Sequence, residues 1–208
     1  MNERFFDLNK SKQDRIINSA LSVFTENGYA HASTDEIVGR AGISKGLLFH
    51  YFGSKLGTYA FLYEYSTRYV LLAVKNEFRG RETDFFSLHR RLAAMEAEIL
   101  KIYPCMLLFI QEADLERDPK VTEALLTLHG KTMVAYQGLY EQTKIPQGYR
   151  KEDVDQLNLM LAFCKSGLMR GYMQFGKIPE DQYRDALGSF LTTLDRRETK
   201  EPQTKQRG

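Results

Sequence analysis

The chain has two cysteines in 208 residues, Cys105 and Cys164, far apart and in no metal-ligand spacing. They exclude a disulfide scaffold and a zinc finger, and they fit a reducing compartment. Tryptophan is absent, and the five prolines (104, 119, 146, 179 and 202) all avoid clear amphipathic runs. No apolar run approaches the ~20 residues a membrane helix needs; the longest are Tyr69 to Val74 and Met106 to Ile110. The opening MNERFFDLNK has neither the apolar stretch nor the small-residue cleavage site of a secretory leader. The expectation is a cytoplasmic protein with no membrane partner. An excess of one charge is also missing, with 29 Lys+Arg against 27 Asp+Glu and a net charge of +2. That balance excludes a nonspecific nucleic-acid coat, so any DNA contact must come from a local patch. Four histidines (His31, His50, His89, His129) form no ligand pair at helical spacing. No HExxH, nucleophile elbow or phosphate loop occurs. We therefore expect no catalytic residues, no metal and no cofactor, and a protein that is not an enzyme.

What remains is a helical pattern along nearly the whole chain, and an all-α fold. Apolar residues make up 43% and charged residues 27%, enough for a sizeable core. The first helix is expected over Lys12 to Asn27, with Ile16, Ile17, Ala20, Leu21, Val23 and Phe24 inward. Asn27-Gly28 ends it. Ser33 or Thr34 caps a second, short helix with Asp35 and Glu36 in its first turn and Ile37, Val38 and Ala41 buried. Gly42 breaks that helix, Ser44 caps a third over Lys45 to Phe52, and Gly53-Ser54 opens a long fourth over Lys55 to Phe78. Further helices are expected near 84–102, 104–116, 119–143, 153–175 and 180–197. Pro119 and Pro179 take the first helical position of theirs, and Lys144 to Lys151 forms a loop. From Arg196 the chain is polar, with no apolar face.

Function concentrates in STDEIVGRAGISKGLLFHYFGSK, residues 33–55. Two short helices flank Ala41-Gly42-Ile43-Ser44, which is helix-turn-helix chemistry. The glycine permits the turn, Ile43 plugs the core and Ser44 starts the next helix. A short helix after such a turn fits the major groove. Leu48 and Phe52 are its core members. Lys45, Leu47, Phe49, His50 and Tyr51, with Lys55 just beyond, supply basic and aromatic side chains for phosphates, base edges and thymine methyls. The plainer alternative is a packed helical hairpin with a few exposed aromatics.

Several features together resemble the N-terminal signature of the tetracycline-repressor (TetR) family. They are the first helix, Gly28-Tyr29, Ser33-Thr34, Ile37, Ala41-Gly42-Ile43-Ser44, Lys45-Gly46, His50-Tyr51-Phe52 and Ser54-Lys55. The resemblance implies a homodimeric transcriptional regulator, usually a repressor, with a three-helix DNA-binding head, a connecting helix and an effector-binding bundle. It implies that Ser33 and Thr34 meet phosphate, and that Ser44, Lys45, Gly46 and Leu47 lie at the groove-facing start of the recognition helix. Phe49, His50, Tyr51 and Lys55 complete the implied DNA contacts. Three departures stand out. Leu47 replaces a small polar residue, Phe49 replaces a tyrosine, and Leu56-Gly57-Thr58 follows Lys55 where the family often has acidic residues and a leucine.

The rest of the chain is rich in tyrosine (12), phenylalanine (13) and methionine (7). Stripes at Phe61, Tyr65 and Tyr69, at Met106 and Phe109, and at Met133, Tyr136 and Tyr140, with Phe163, read either as bundle core or as the wall of an effector pocket. Converging phenols in an apolar wall would suit a lipophilic or aromatic small molecule, with Glu112 and Arg170 as candidate anchors or a surface ion pair. Cys164, Gly167 and Gly171 form a small-residue ridge flanked by Leu157, Leu161, Leu168, Tyr172 and Phe175. Tyr183, Leu187, Phe190, Leu191 and Leu194 give the last helix an apolar stripe. These faces serve either a homodimer interface or packing within one chain.

The expected organisation is a helix-turn-helix domain over 1–53, a helical effector-binding and dimerisation domain over 54–197, and a disordered tail over 198–208. The expected activity is ligand-responsive binding of a palindromic operator by a dimer that the effector releases. The alternatives are a helical small-molecule carrier or enzyme without a DNA role, and a structural protein that dimerises through its last helices.

Overall fold

The structure is a computed structural model that describes residues 3–79, 83–174 and 180–195. The described residues form eleven helices: α1 (Glu3–Phe6), α2 (Lys10–His31), α3 (Thr34–Ala41), α4 (Lys45–Phe52), α5 (Lys55–Glu77), α6 (Phe85–Ile102), α7 (Met106–Asp114), α8 (Pro119–Leu125), α9 (Lys131–Glu141), α10 (Lys151–Gln174) and α11 (Glu180–Leu194). The only bridge among them pairs Asp84 with Lys144 in isolation, so the all-α expectation holds. Phe175, Pro179 and the 198–208 tail lie outside the described residues.

The head is α2, α3 and α4. The side chains of Ile16, Ile17, Leu21 and Phe24 on α2 close on Ile37 and Ala41 of α3 and Leu48 of α4 in one buried cluster. Each such side chain contributes roughly 1.5–3 kcal/mol by leaving water. Caps set the boundaries. The Ser33 hydroxyl accepts the Glu36 N–H, and the Ser44 hydroxyl accepts the Leu47 N–H. Between them Gly42 sits in the left-handed region (φ 62), which glycine enters without a Cβ penalty. Ile43 is only partly buried, packed against the core from its edge.

Three differences from the sequence expectation have local causes. First, α1 had no counterpart. Its Phe5 is fully buried and meets Tyr51 and Phe61 edge-on and Phe52 at a tilt, so four residues cover the joint between head and body. Gln13 secures the turn by donating to the Phe6 and Leu8 carbonyls. Second, the first helix continues past Gly28, which kinks it (φ 68), to His31. Third, the helix expected over 119–143 breaks between Leu125 and Lys131. The break is held by Asp114 at the end of α7. Its carboxylate accepts from the Tyr63 hydroxyl and from the Gly130 N–H, and Tyr63 also donates to the Leu128 carbonyl. Gly130 adopts φ 69, which lets α9 restart at a new angle.

The spine of the molecule is α5. Its N-cap Ser54 accepts the Gly57 N–H at 2.9 Å, and a Cβ on Gly57 would sit 1.9 Å from the Phe52 carbonyl oxygen. The Leu56-Gly57-Thr58 departure therefore has a steric reason, a close crossing of α4's last turn over α5's first. Around α5 the large core of the head continues into α6 and α7, while Phe85, Phe86, Val154, Leu161 and Leu191 form a second, smaller cluster where α10 and α11 meet α6.

Candidate nucleic-acid interface and effector cavity

The face of α4 that the sequence assigns to DNA is open at its start. Ser44, Lys45 and Gly46 are exposed, His50 is exposed, and Leu47 is half-buried. Nothing but the Ser44 hydroxyl, 4.0 Å away, lies near a Cβ built on Gly46. Ser33 is exposed and Thr34 half-buried at the start of α3, and the Lys45–Asp35 ion pair joins the first turns of α3 and α4, so two capped helix N-termini lie side by side. Phe49 and Tyr51 are partly buried against the core, and Tyr51 meets Phe5 and His50 edge-on. For Phe49 that placement favours packing over a base contact.

The basic groups of the head are mostly held by internal partners. Lys45 pairs with Asp35 at 2.9 Å, and Arg40 with both Glu26 and Glu36 at 2.6 Å. Hydrogen bonding from Arg40 holds the Glu26 carboxyl below the usual range. Lys55 donates to the Ala30 carbonyl at 3.0 Å with its ammonium 4.9 Å from the centre of the Tyr29 ring, and burial lowers its pKa. Lys55 thus pins the last turn of α2, beyond its Gly28 kink.

A polar cluster ties the head to the body. Tyr103, fully buried after α6, donates to Asp14 of α2 at 2.5 Å, and Lys10 donates to Asp14 and to the Tyr103 oxygen at 2.7 Å. Tyr65 joins it through its hydroxyl, 2.8 Å from that of Tyr103, and Asn18 donates to the Ile102 carbonyl at 2.9 Å.

The body holds a cavity of about 380 Å³ between α5, α6, α7, α9, α10 and α11, walled mainly by apolar atoms. Of the aromatic stripes, Met133, Tyr136, Tyr140 and Phe163 line it, with Met133 (64% exposed) and Phe163 (69%) at the rim. The other five residues assigned to the effector lie elsewhere. Met106 and Phe109 are fully buried, Phe109 against Phe24 and Tyr59. Phe61 packs on Phe5 and Phe52. Tyr65 and Tyr69 pack on Tyr103. Phe61, Tyr65 and Tyr69 of α5 face the head–body joint, and Met106 and Phe109 of α7 face the core. Glu112 and Arg170 pair with each other at 2.8 Å on the outside.

The polar floor of the cavity escaped the sequence reading. Glu96 (4% exposed) accepts from Lys165 (6% exposed) at 2.9 Å and from the Tyr183 hydroxyl at 2.8 Å. The Lys165 ammonium also lies 5.9 Å from the centre of the Tyr136 ring. Burial and the Glu96 charge push the Tyr136 and Tyr183 phenols well above their ordinary value, so both stay protonated. Behind this floor, His89 is buried with Nε2 2.8 Å from the Asn158 side-chain oxygen and its ring stacked on Tyr140. Burial, reinforced by Lys165, lowers its pKa to about 3. Glu96 sits four residues from both Leu92 and Leu100, and Lys165 four from both Leu161 and Met169. A charge inside an apolar stripe was the available signal.

The residues assigned to a dimer face divide in two. Leu161, Tyr183, Leu187 and Leu191 are buried within the chain and have almost no surface to offer a partner. Leu157, Phe190 and Leu194 pack partly on the second cluster, and Leu168 on the first. The apolar stripe of α11 packs on α6, which accounts for the burial of Tyr183, Leu187 and Leu191. Cys164 is half-buried, while Gly167 and Gly171 have no non-local atom within 4 Å of a built Cβ. The apolar surface that is left on α10 is Leu159, Met160 and Phe163, each at least half exposed.

Among the described residues no helix is long and apolar enough to cross a membrane. A family model described as bacterial regulatory proteins, tetR family, matches residues 16–57, the span from mid-α2 to the start of α5. The Transposon Tn10 TetC protein of Escherichia coli is 44% identical over 46 residues, which are 22% of this chain and 23% of that protein. The chain thus matches less than a quarter of that relative's length. IcaR of Staphylococcus aureus strain Newman, the HTH-type negative transcriptional regulator of the biofilm operon icaADBC, is 24% identical over 183 residues, covering 86% of this chain and 96% of IcaR. A TetR family transcriptional regulator from Chloroflexus aurantiacus shares the fold, with TM-score 0.57 and 23% identity over 94% of this chain and 91% of that one.

Proposed function

The chain belongs to the tetR family of bacterial regulatory proteins, and we propose that it is a cytoplasmic, homodimeric repressor that binds a palindromic operator and is released by a small lipophilic or aromatic effector. The observation that carries this reading is the α3–turn–α4 unit, which points two capped helix N-termini and an unobstructed Gly46 outward from a fully packed core. Backbone N–H groups and hydroxyls at those termini suit phosphates, and Leu47 suits a thymine methyl. The cavity, with its apolar wall and charged floor, suits the effector.

Dimerisation is assigned to the exposed face of α10. Met160, Phe163, Gly167 and Gly171 follow one another at steps of three and four residues and so share one side of the helix. A dimer reading a palindrome must hold its recognition helices about one DNA turn apart, ~34 Å. The effector works by binding one arrangement of the heads better than the other. Binding to fragments of the DNA flanking the gene, across a salt series, tests the operator function. The expected result is a discrete palindromic footprint whose affinity falls steeply with salt. No sequence-selective binding, or an operator affinity unmoved by any compound that occupies the cavity, would contradict the reading. Gly167→Arg tests the dimer. The chain itself has room for that side chain, so a folded monomer in sedimentation is expected, and an unchanged dimer would remove α10 from the interface.

A further inference from the structure

The cavity's wall specifies the charge of what it takes. Its ionised lining residues are Glu96, Asp114 and Lys165. Glu96 has both oxygens engaged, one by Lys165 at 2.9 Å and the other by Tyr183 at 2.8 Å. Asp114, half-exposed in the wall, takes both the Tyr63 hydroxyl and the Gly130 N–H on the same oxygen. At the rim Ser166 donates to Gln111 at 2.6 Å and Gln137 to Glu141 at 3.0 Å. Lys165 differs. Of its three N–H groups one goes to Glu96, and the Tyr136 ring lies beside the ammonium. The buried floor therefore has a donor to spare, and both of its Glu96 oxygens are already taken.

An anion would gain from Lys165, but Glu96 already neutralises that charge at contact distance, and Asp114 leaves the wall one negative charge in excess. Stripping an anion of water to enter such a wall is costly. A cation would enter beside the Lys165 ammonium and would have to displace it from Glu96. A neutral acceptor oxygen meets neither penalty and completes the ammonium's hydrogen bonding. We infer that the cavity selects an uncharged, mostly apolar molecule carrying a carbonyl-type oxygen, which Lys165 reads from a floor neutralised by Glu96. This inference rests on the effector reading of the same cavity and adds to it the ligand's charge class.

Three probes with similar ten-carbon chains test it on the full-length protein by calorimetry near neutral pH: 2-decanone, decanoate and decyltrimethylammonium. The ketone is expected to bind roughly tenfold or more tightly than either ion, the ions carrying the desolvation cost. Lys165→Met alone strands a buried carboxylate and risks the fold. The double variant Glu96→Gln/Lys165→Met removes the pair together. In it the ketone should weaken by roughly tenfold or more, the loss of a hydrogen bond to a charged group. If decanoate or the quaternary amine binds wild type as tightly as the ketone, the inference is overturned and the effector cavity stands. Unchanged ketone affinity in a folded double variant likewise overturns the role of Lys165. If none of the three binds, the inference and the effector reading both fail.

Discussion

The head and the body of this molecule solve the same packing problem with different freedom. In the head, every boundary is set by a local device: Ser33, Ser44 and Ser54 cap, and Gly28, Gly42 and Gly53 take positive φ. The helices are short, so few positions can vary without losing the cap, the turn or the core. The body has long helices whose apolar faces can turn toward the core, the cavity or a second chain. A stripe of tyrosines or leucines satisfies any of the three. The family model accordingly ends at residue 57, where the local devices give way to long-range choices.

The joint between the two regions should be the most sensitive point. Gly57→Ala would force a methyl to 1.9 Å from the Phe52 carbonyl oxygen. We expect a loss of about 3 kcal/mol in urea unfolding, the upper range for overpacking. A change below about 0.5 kcal/mol, the scatter of neutral surface substitutions, would mean that head and body do not cross this closely.

The body should respond to acid through His89. Its folded pKa of about 3 lies below its unfolded value near 6.5, so the unfolded state binds the proton first. The associated stability is complete above pH 6.5 and drains as pH falls from there toward 3, by at most about 1.4 kcal/mol per pH unit. Unfolding curves for wild type and His89→Gln should converge as pH is lowered through that window. Parallel curves would show that His89 is not buried neutral.

Comparing these two sites shows what could be read in advance. The α3 and α4 boundaries followed from caps and glycines within a few residues. The break after Leu125 did not, because it depends on Asp114 and Tyr63, distant in sequence, taking up the freed backbone groups. The Glu96–Lys165 floor was marked only by two charges in apolar stripes, and neither reveals its partner. Phe5 and Phe6 lay in a segment too short for any period, and α11's stripe was legible as apolar but silent on whether α6 or another chain covers it.

Smaller effects separate the regions further. Tyr103→Phe removes the hydroxyl that joins Asp14 to Tyr65. It should cost about 1–3 kcal/mol of stability, the price of a partly desolvated hydrogen-bond network, and weaken operator affinity while leaving ligand affinity in the cavity unchanged. Equal losses at both sites would show general unfolding in place of a head-positioning role. Leu47→Ala should leave the salt slope of DNA binding unaltered and lower discrimination at a thymine position by ~1 kcal/mol. A shift in salt slope would assign that part of α4 to the backbone.

The central claim is that α4 enters a DNA groove with its first turn. Fluorescence anisotropy on a labelled operator fragment, comparing wild type with Gly46→Glu, tests it most directly. Gly46 is exposed with nothing but the Ser44 hydroxyl near its Cβ, so the variant should keep the wild-type melting profile and oligomeric state. A carboxylate there would face the phosphates across the groove, and operator binding should fall by about a hundredfold or more, about 3 kcal/mol of repulsion and lost contact. Wild-type operator affinity in a folded Gly46→Glu protein would show that α4 stays outside the groove, and the account of the head would fall with it.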